Sequence, residues 1–285
     1  MLGSLKNDRR RERHRTEERV NRKASLRDSG VELTRSWRET LPAGGRDAFR
    51  QLFLLLACYA AYDVARVAVR GREAAAMADA RALINVEKTL HIYVEPFIQA
   101  KLSYVHVLVE AMNWFYANTH LPATILMLTW IYLYRHETWS FFRNWFLTMN
   151  ALAMTVFAIL PVAPPRLVPT SGIVDTLFLY SPHPYSTGVL AFVTNQYAAL
   201  PSLHIGYAVF LALAVFLLSS NRTARMLALV YPALVLVAIV VTGNHYLLDA
   251  VAGLLVLGVA FVANYSVAPQ RVPAVITVSA RYRRD

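Results

Sequence analysis

His204, His245 and Asp249 are the residues of this chain best suited to nucleophilic and acid–base chemistry, and all three sit in strongly apolar surroundings. His245 and Asp249 belong to the motif TGNHYLLDAVAG (Thr242–Gly253). Residues four apart share one face of a helix, so that spacing pairs the carboxylate with the imidazole. Asp249 falls about one turn into an apolar segment, where a lone carboxylate is costly and a ring N–H is its natural partner. Such a partner fixes the tautomer and makes the other ring nitrogen a better nucleophile. His204 follows Pro201 and Ser202 in NQYAALPSLHIGY (Asn195–Tyr207). Ser202 is placed to cap a helix whose first N–H groups form an anion site favoured by the helix dipole, with His204 in its first turn. In LPVAPPRLVP (Leu160–Pro169) the tandem prolines stop a helix and hold Arg166 on a stiff turn. Each motif alone has a plainer reading: a proline stop with a headgroup-facing arginine, a serine cap beside an interfacial histidine, a structural His–Asp staple. Together they describe phosphoryl chemistry. An arginine and a helix N-terminus bind phosphate oxygens and stabilise the transition state. One oriented histidine attacks phosphorus, and the second protonates the departing oxygen. Nothing in the scheme demands a metal or another cofactor.

The elements that must position these groups are membrane spans. The chain is 56% hydrophobic with a mean hydropathy of +0.37, too apolar for an ordinary soluble domain. A span needs about 20 mostly apolar residues. Candidates lie near 51–69, 104–134, 144–161, 204–219, 226–242 and 246–265, which predicts an all-α bundle of six transmembrane helices. The second is long and polar at Asn113, Asn118, His120 and Pro122, and is either one kinked helix or a span preceded by an interfacial helix. The fourth is short and can extend from Ala198 through the PSLH turn. Residues 1–50 carry 14 of the 29 Lys and Arg, so the net charge of +11 belongs largely to a basic tail. Beside a span, that tail favours a cytoplasmic anchor on anionic lipid over nucleic acid. With the N-terminus inside, alternation places the junctions at 135–143 and 222–225 and the basic C-terminus inside as well. The three motifs then converge on the extracytoplasmic face, around an outer loop at 162–203. Residues 70–103, with Glu73, Asp79, Glu87 and Glu95 balancing their basic neighbours, predict an amphipathic interfacial segment. The expected organisation is a basic, disordered tail over 1–48, a six-span domain over 49–266 and a short basic tail over 267–285. Cys58, the single cysteine, falls inside the first span, so neither a disulfide framework nor a thiolate metal cluster is expected.

The motifs resemble the type 2 phosphatidic acid phosphatase superfamily, in its branch similar to inositolphosphotransferases and sphingolipid headgroup synthases. PSLH (Pro201–His204), GNHYLLD (Gly243–Asp249) and APPR (Ala163–Arg166) carry the resemblance, with NWFYANTH (Asn113–His120) and Val174–Thr176 adding to it. The resemblance spans roughly 80–265. It implies that His245 forms a phosphohistidine, that Asp249 orients it, that His204 is the acid, and that Ser202 and Arg166 bind phosphate. It implies a lipid phosphate or phospholipid substrate at the bilayer, with a polyol or other alcohol as acceptor if the reaction is transfer, or alternatively transfer of a phosphoinositol or other phosphoalcohol headgroup onto a lipid acceptor. The chain lacks the superfamily's lysine seven residues before an Arg-Pro pair. It also has Thr242–Asn244 where an arginine usually precedes the third motif. Phosphate coordination is therefore expected to lean on Arg166 and backbone amides, with Asn195, Tyr197 and Asn244 as further candidates. Asn113, Tyr116 and His120 share one face of the second span, either lining the entrance or bonding neighbouring helices. Asp175 is a candidate to order Arg166 or nearby backbone. Two other readings compete: a two-His, one-carboxylate metal site, and a non-enzymatic lipid-binding or tethering protein that works through its tail.

Overall fold

The computed structural model describes residues 41–68, 71–180 and 197–267. The tail over 1–40, the C-terminal segment from 268 and the candidate Asn195 lie outside the described residues. The chain divides into two compact units, Met1–Phe53 and Leu54–Asp285. Helix α1 (Gly44–Ala68) runs across that division. The second unit continues with α2 (Glu73–Thr89), α3 (Glu95–Leu102), α4 (His106–Asn118), α5 (His120–Tyr134), α6 (His136–Ile159), α7 (Thr176–Tyr180), α8 (Leu203–Leu218), α9 (Arg222–Val241) and α10 (Leu247–Val267). The described chain is all-helical, as the apolar runs predict. It contains no strand, and its one extended pairing is a parallel bridge between Val162 and Ala198.

Helix boundaries follow local chemistry. The 104–134 run divides at Thr119 because Pro122 has no N–H for the turn below it. The prolines at 161, 164 and 165 end α6. Asn221 caps α9, its side chain accepting the Ala224 N–H at 3.1 Å. Two expectations are corrected. The fourth helix does not extend back to Ala198: residues 197–199 are drawn out against Val162, which exchanges hydrogen bonds with Tyr197 and Ala199, and α8 begins only at Leu203. Arg143 is not in a junction either, because α6 starts one residue after Arg135, where Thr138 Oγ1 donates to the Arg135 carbonyl at 2.9 Å.

Two helices, α9 and α10, are long and apolar enough to cross a membrane, and α5 and α8 are shorter apolar helices. Leu227, Val230, Leu255 and Val262 face outward on the two long helices. Inside, α6, α8 and α10 pack around Trp145, whose indole N–H donates to the Leu257 carbonyl at 2.9 Å and so uses its polar atom. Phe210 and Phe261 each lie 5.1 Å from the Trp145 ring. α8 and α10 touch backbone to backbone at Gly253, where an added Cβ would collide with the Ser202 carbonyl. That contact sets the start of α8 beside the start of α10.

Gly253→Ala should therefore cost about 1–3 kcal/mol, the usual range for overpacking. Gly258, on the same helix with nothing within 4 Å of an added methyl, is the control. Gly258→Ala should be neutral or stabilise by up to about 1 kcal/mol through helix propensity. Thermal unfolding of the two variants in detergent checks this, and equal behaviour would contradict the packing.

Candidate active site

The segment Thr242–Asp249 is the base of the site. It leaves α9 in a tight turn with Gly243 at φ +66°. A side chain there is excluded twice over, since a Cβ would lie 2.6 Å from Ile173 Cγ2 and 3.2 Å from Arg166 Cβ in a backbone region that favours glycine. The Asn244 and His245 N–H groups both turn back to the Ile239 carbonyl. His245 therefore precedes α10 instead of lying on it, which corrects the expectation of a shared helical face. The pairing with Asp249 survives by another route. Asp249 sits in the first turn of α10, and its Oδ2 accepts the Tyr246 N–H at 2.9 Å while lying 3.3 Å from His245 Nδ1.

The imidazole has a second and closer acceptor, the Ala199 carbonyl at 2.9 Å from Nδ1. A carbonyl can only accept, so Nδ1 carries the ring proton of neutral His245 and Nε2 keeps its lone pair. Nε2 faces His204 Nδ1 at 3.3 Å. His245 and Asp249 are buried, while His204 is partly open. His204 lies in the first turn of α8, tied to α10 by the Ser202 N–H donating to the Asp249 carbonyl at 2.9 Å. Ser202 does occupy the N-cap position, but its hydroxyl makes no capping bond. Its Oγ is buried without a partner among the described residues. The first-turn N–H groups of α8 are thus not taken by a serine cap.

Arg166 is strapped to the same turn. Its backbone N–H donates to the Gly243 carbonyl at 2.9 Å, and its Nε donates to Asn244 Oδ1 at 2.9 Å. Its Nη1 pairs with Asp175 Oδ2 at 2.7 Å, and Asp175 Oδ1 accepts the Phe178 N–H. Asp175 thus orders Arg166 and the start of α7 together. Asn244 Nδ2 donates to Thr242 Oγ1 at 2.8 Å, so both ends of its side chain are engaged in holding the arginine. Tyr197 packs among residues of α2 and the 162–168 segment, and burial raises its phenol pKa.

Other groups at the site have only weak sequence signals. Tyr116 stacks on His204 with 4.3 Å between ring centroids, and His120 lies 4.3 Å from the same ring, inclined to it at 60°. Of the polar stripe Asn113, Tyr116 and His120, the last two line the site, whereas Asn113 exchanges hydrogen bonds with Thr176 and holds α7. Gln99 of α3 is buried, donating to the Val174 and Val241 carbonyls and accepting the Val174 N–H. It fixes the loop before Asp175.

Residues 81–263 match the sequence profile of the PAP2 superfamily, and the chain belongs to that superfamily, whose members are generally phosphatases and phosphotransferases. Comparison with curated proteins and with solved structures gives no significant match.

Because the Ala199 carbonyl holds the Nδ1 proton independently, Asp249→Asn should keep the tautomer and lose only the charge opposite it. The expected fall in kcat is on the order of 10²–10³, as for loss of one preorganised electrostatic contact. Steady-state kinetics of the variant check this. A fall of about 10⁴ or more, the signature of a misplaced proton, would contradict a tautomer held by Ala199.

Proposed function

We propose that the chain is a multi-pass membrane enzyme that cleaves a lipid phosphate ester through a phosphohistidine on His245. The observation that carries this reading is the placement of His245, with Nδ1 committed to two acceptors and Nε2 turned to His204. His245 Nε2 attacks phosphorus, the bond to the lipid oxygen breaks, and protonated His204 supplies the proton to that oxygen. Water or an acceptor alcohol then attacks the phosphohistidine, giving its proton to His204 as the P–N bond breaks. Arg166 keeps donors on Nη2 for phosphate oxygens, aided by the N-terminal N–H groups of α8. Asn244 and Asp175 serve by aiming Arg166. A phosphoryl group held in line needs more room than the 3.3 Å between the two ring nitrogens, so substrate entry parts the rings.

The setting is six membrane passes, α1, the α4–α5 pair, α6, α8, α9 and α10, with α2 and α3 at the interface. Both termini are cytoplasmic and the histidines lie at the outer face. Its support is the outward apolar surface of the long helices and the run of basic residues that precedes α1 in the sequence. At 16 residues α8 is only about 24 Å long, which brings His204 just below the outer surface of a core about 30 Å thick. A metal shared by His204, His245 and Asp249 is disfavoured by geometry, because the carboxylate meets Nδ1 and His204 meets Nε2, on opposite edges of one ring.

Hydrolysis and headgroup transfer differ only in the second attacker, and the likeness of the motifs to the inositolphosphotransferase-like branch favours transfer. Labelled lipid phosphate supplied with and without inositol or another alcohol separates them. Label in the alcohol assigns a transferase, and phosphate release indifferent to acceptor assigns a phosphatase. In either case activity should resist chelators and fall with vanadate. Activity lost to a chelator and restored by a divalent ion would overturn the mechanism.

A further inference from the structure

Glu87 at the end of α2 and Glu95 at the start of α3 are both fully buried. The nearby lysines are engaged elsewhere: Lys88 lies over the Tyr93 ring and Lys101 over the Phe97 ring. Each carboxyl spends one oxygen on the first turn of α10. Glu95 Oε1 accepts the Leu247 N–H at 2.8 Å, and Glu87 Oε1 accepts the Leu248 N–H at 2.8 Å. The second oxygen of each is buried with no other partner among the described residues, and the two side chains are within hydrogen-bonding reach of one another. Leu247 and Leu248 stand between Tyr246 and Asp249, so the two carboxyls grip α10 inside the catalytic segment.

We propose that Glu87 and Glu95 hold a single proton between their Oε2 atoms, and that this singly charged acid pair is the clamp that positions His245 and Asp249. Two adjacent carboxylates cannot both stay ionised away from water. One negative charge, by contrast, is favoured at a helix N-terminus, where the dipole and two free N–H groups meet it. The groups facing Glu87 from the surrounding elements add no positive charge: Glu95 from α3, Tyr93 from the turn between α2 and α3, Tyr246 before α10, and Asp249 within it. The 162–168 segment contributes the apolar Val162, Ala163 and Val168. Burial accordingly drives the Glu87 carboxyl up to about 8, against the lowering effect of the Leu248 N–H, and Tyr93 up to about 12. The folded pair binds its proton more tightly than the unfolded chain does. The stability it contributes is therefore fully present below about 4.5 and lost as pH rises through about 8. Above that, a second charge forces the carboxyls apart and loosens the start of α10. Glu87 and Glu95 are positioning residues, acting through α10 on the phosphohistidine chemistry on which this inference rests.

The experiment compares the full-length protein in detergent with Glu87→Gln and Glu87→Ala, over pH 6 to 10, on a labelled lipid phosphate. The amide of Glu87→Gln still accepts the Leu248 N–H and donates permanently to Glu95. It should keep neutral-pH activity within about threefold and abolish the loss of activity expected of the parent above about pH 8. Glu87→Ala lacks both bonds and should lower kcat by tenfold or more with KM little changed. An alkaline limb that superimposes for Glu87→Gln and the parent overturns the proposal. Infrared spectroscopy of the parent gives a readout independent of activity: a buried protonated-carboxyl band that disappears on titration to high pH. Absence of that band at neutral pH overturns the shared proton even if no variant folds. If instead the parent shows the band but no phosphoester cleavage, the functional reading fails and the acid pair stands.

Discussion

One hydrogen-bonded ring orders the rest of the site: the imidazole of His245 held at Nδ1 by the Ala199 carbonyl and the Asp249 carboxylate. Both acceptors must be delivered by separate parts of the chain to within 3.3 Å of one nitrogen. Ala199 arrives through the short pairing of residues 197–199 with Val162, and Asp249 through the first turn of α10. The Ser202 N–H, donated to the Asp249 carbonyl, joins the two deliveries. Gly253 allows the close approach this requires. Removing any of these connections misplaces the acceptor and not merely a neighbour.

The same segment shows how an apolar bundle tolerates a dense set of polar groups. Three N–H groups that begin α10 without a helical partner are each answered by a carboxylate: Tyr246 by Asp249, Leu247 by Glu95, Leu248 by Glu87. Arg166 is likewise answered by Asp175 and Asn244, and its remaining donors serve the phosphate chemistry proposed for it. A buried N–H without such a partner is expensive, so these paired donors are also what makes the geometry rigid.

Much of this is legible in the chain itself. His204, His245, Asp249 and Arg166 are unusual polar residues at the ends of apolar runs, and that contrast alone singles them out. The helical periods and prolines locate the elements, and the structure brings Arg166 and both histidines to one place. What resists reading depends on contacts distant in sequence or on backbone atoms. The Ala199 carbonyl leaves no side-chain signature. Glu87 and Glu95 read as the solvated face of an amphipathic segment because nothing local says that α10 will donate to them. The sixth apolar run, 246–265, locates the start of α10 to within a residue, yet the His-to-Asp spacing alone does not say that His245 stays outside the helix. Asn244 has the side chain of a phosphate ligand, yet Arg166 and Thr242 use both its ends, and neither contact is written in the local sequence.

The most direct measurement is to quench the enzyme during turnover of a ³²P-labelled lipid phosphate and map the protein-bound label by mass spectrometry. The expected product is an acid-labile, alkali-stable phosphoramidate on His245, carried by Nε2 and absent from His245→Ala. Label on another residue, or a fully active enzyme that never accumulates label on His245, would contradict it.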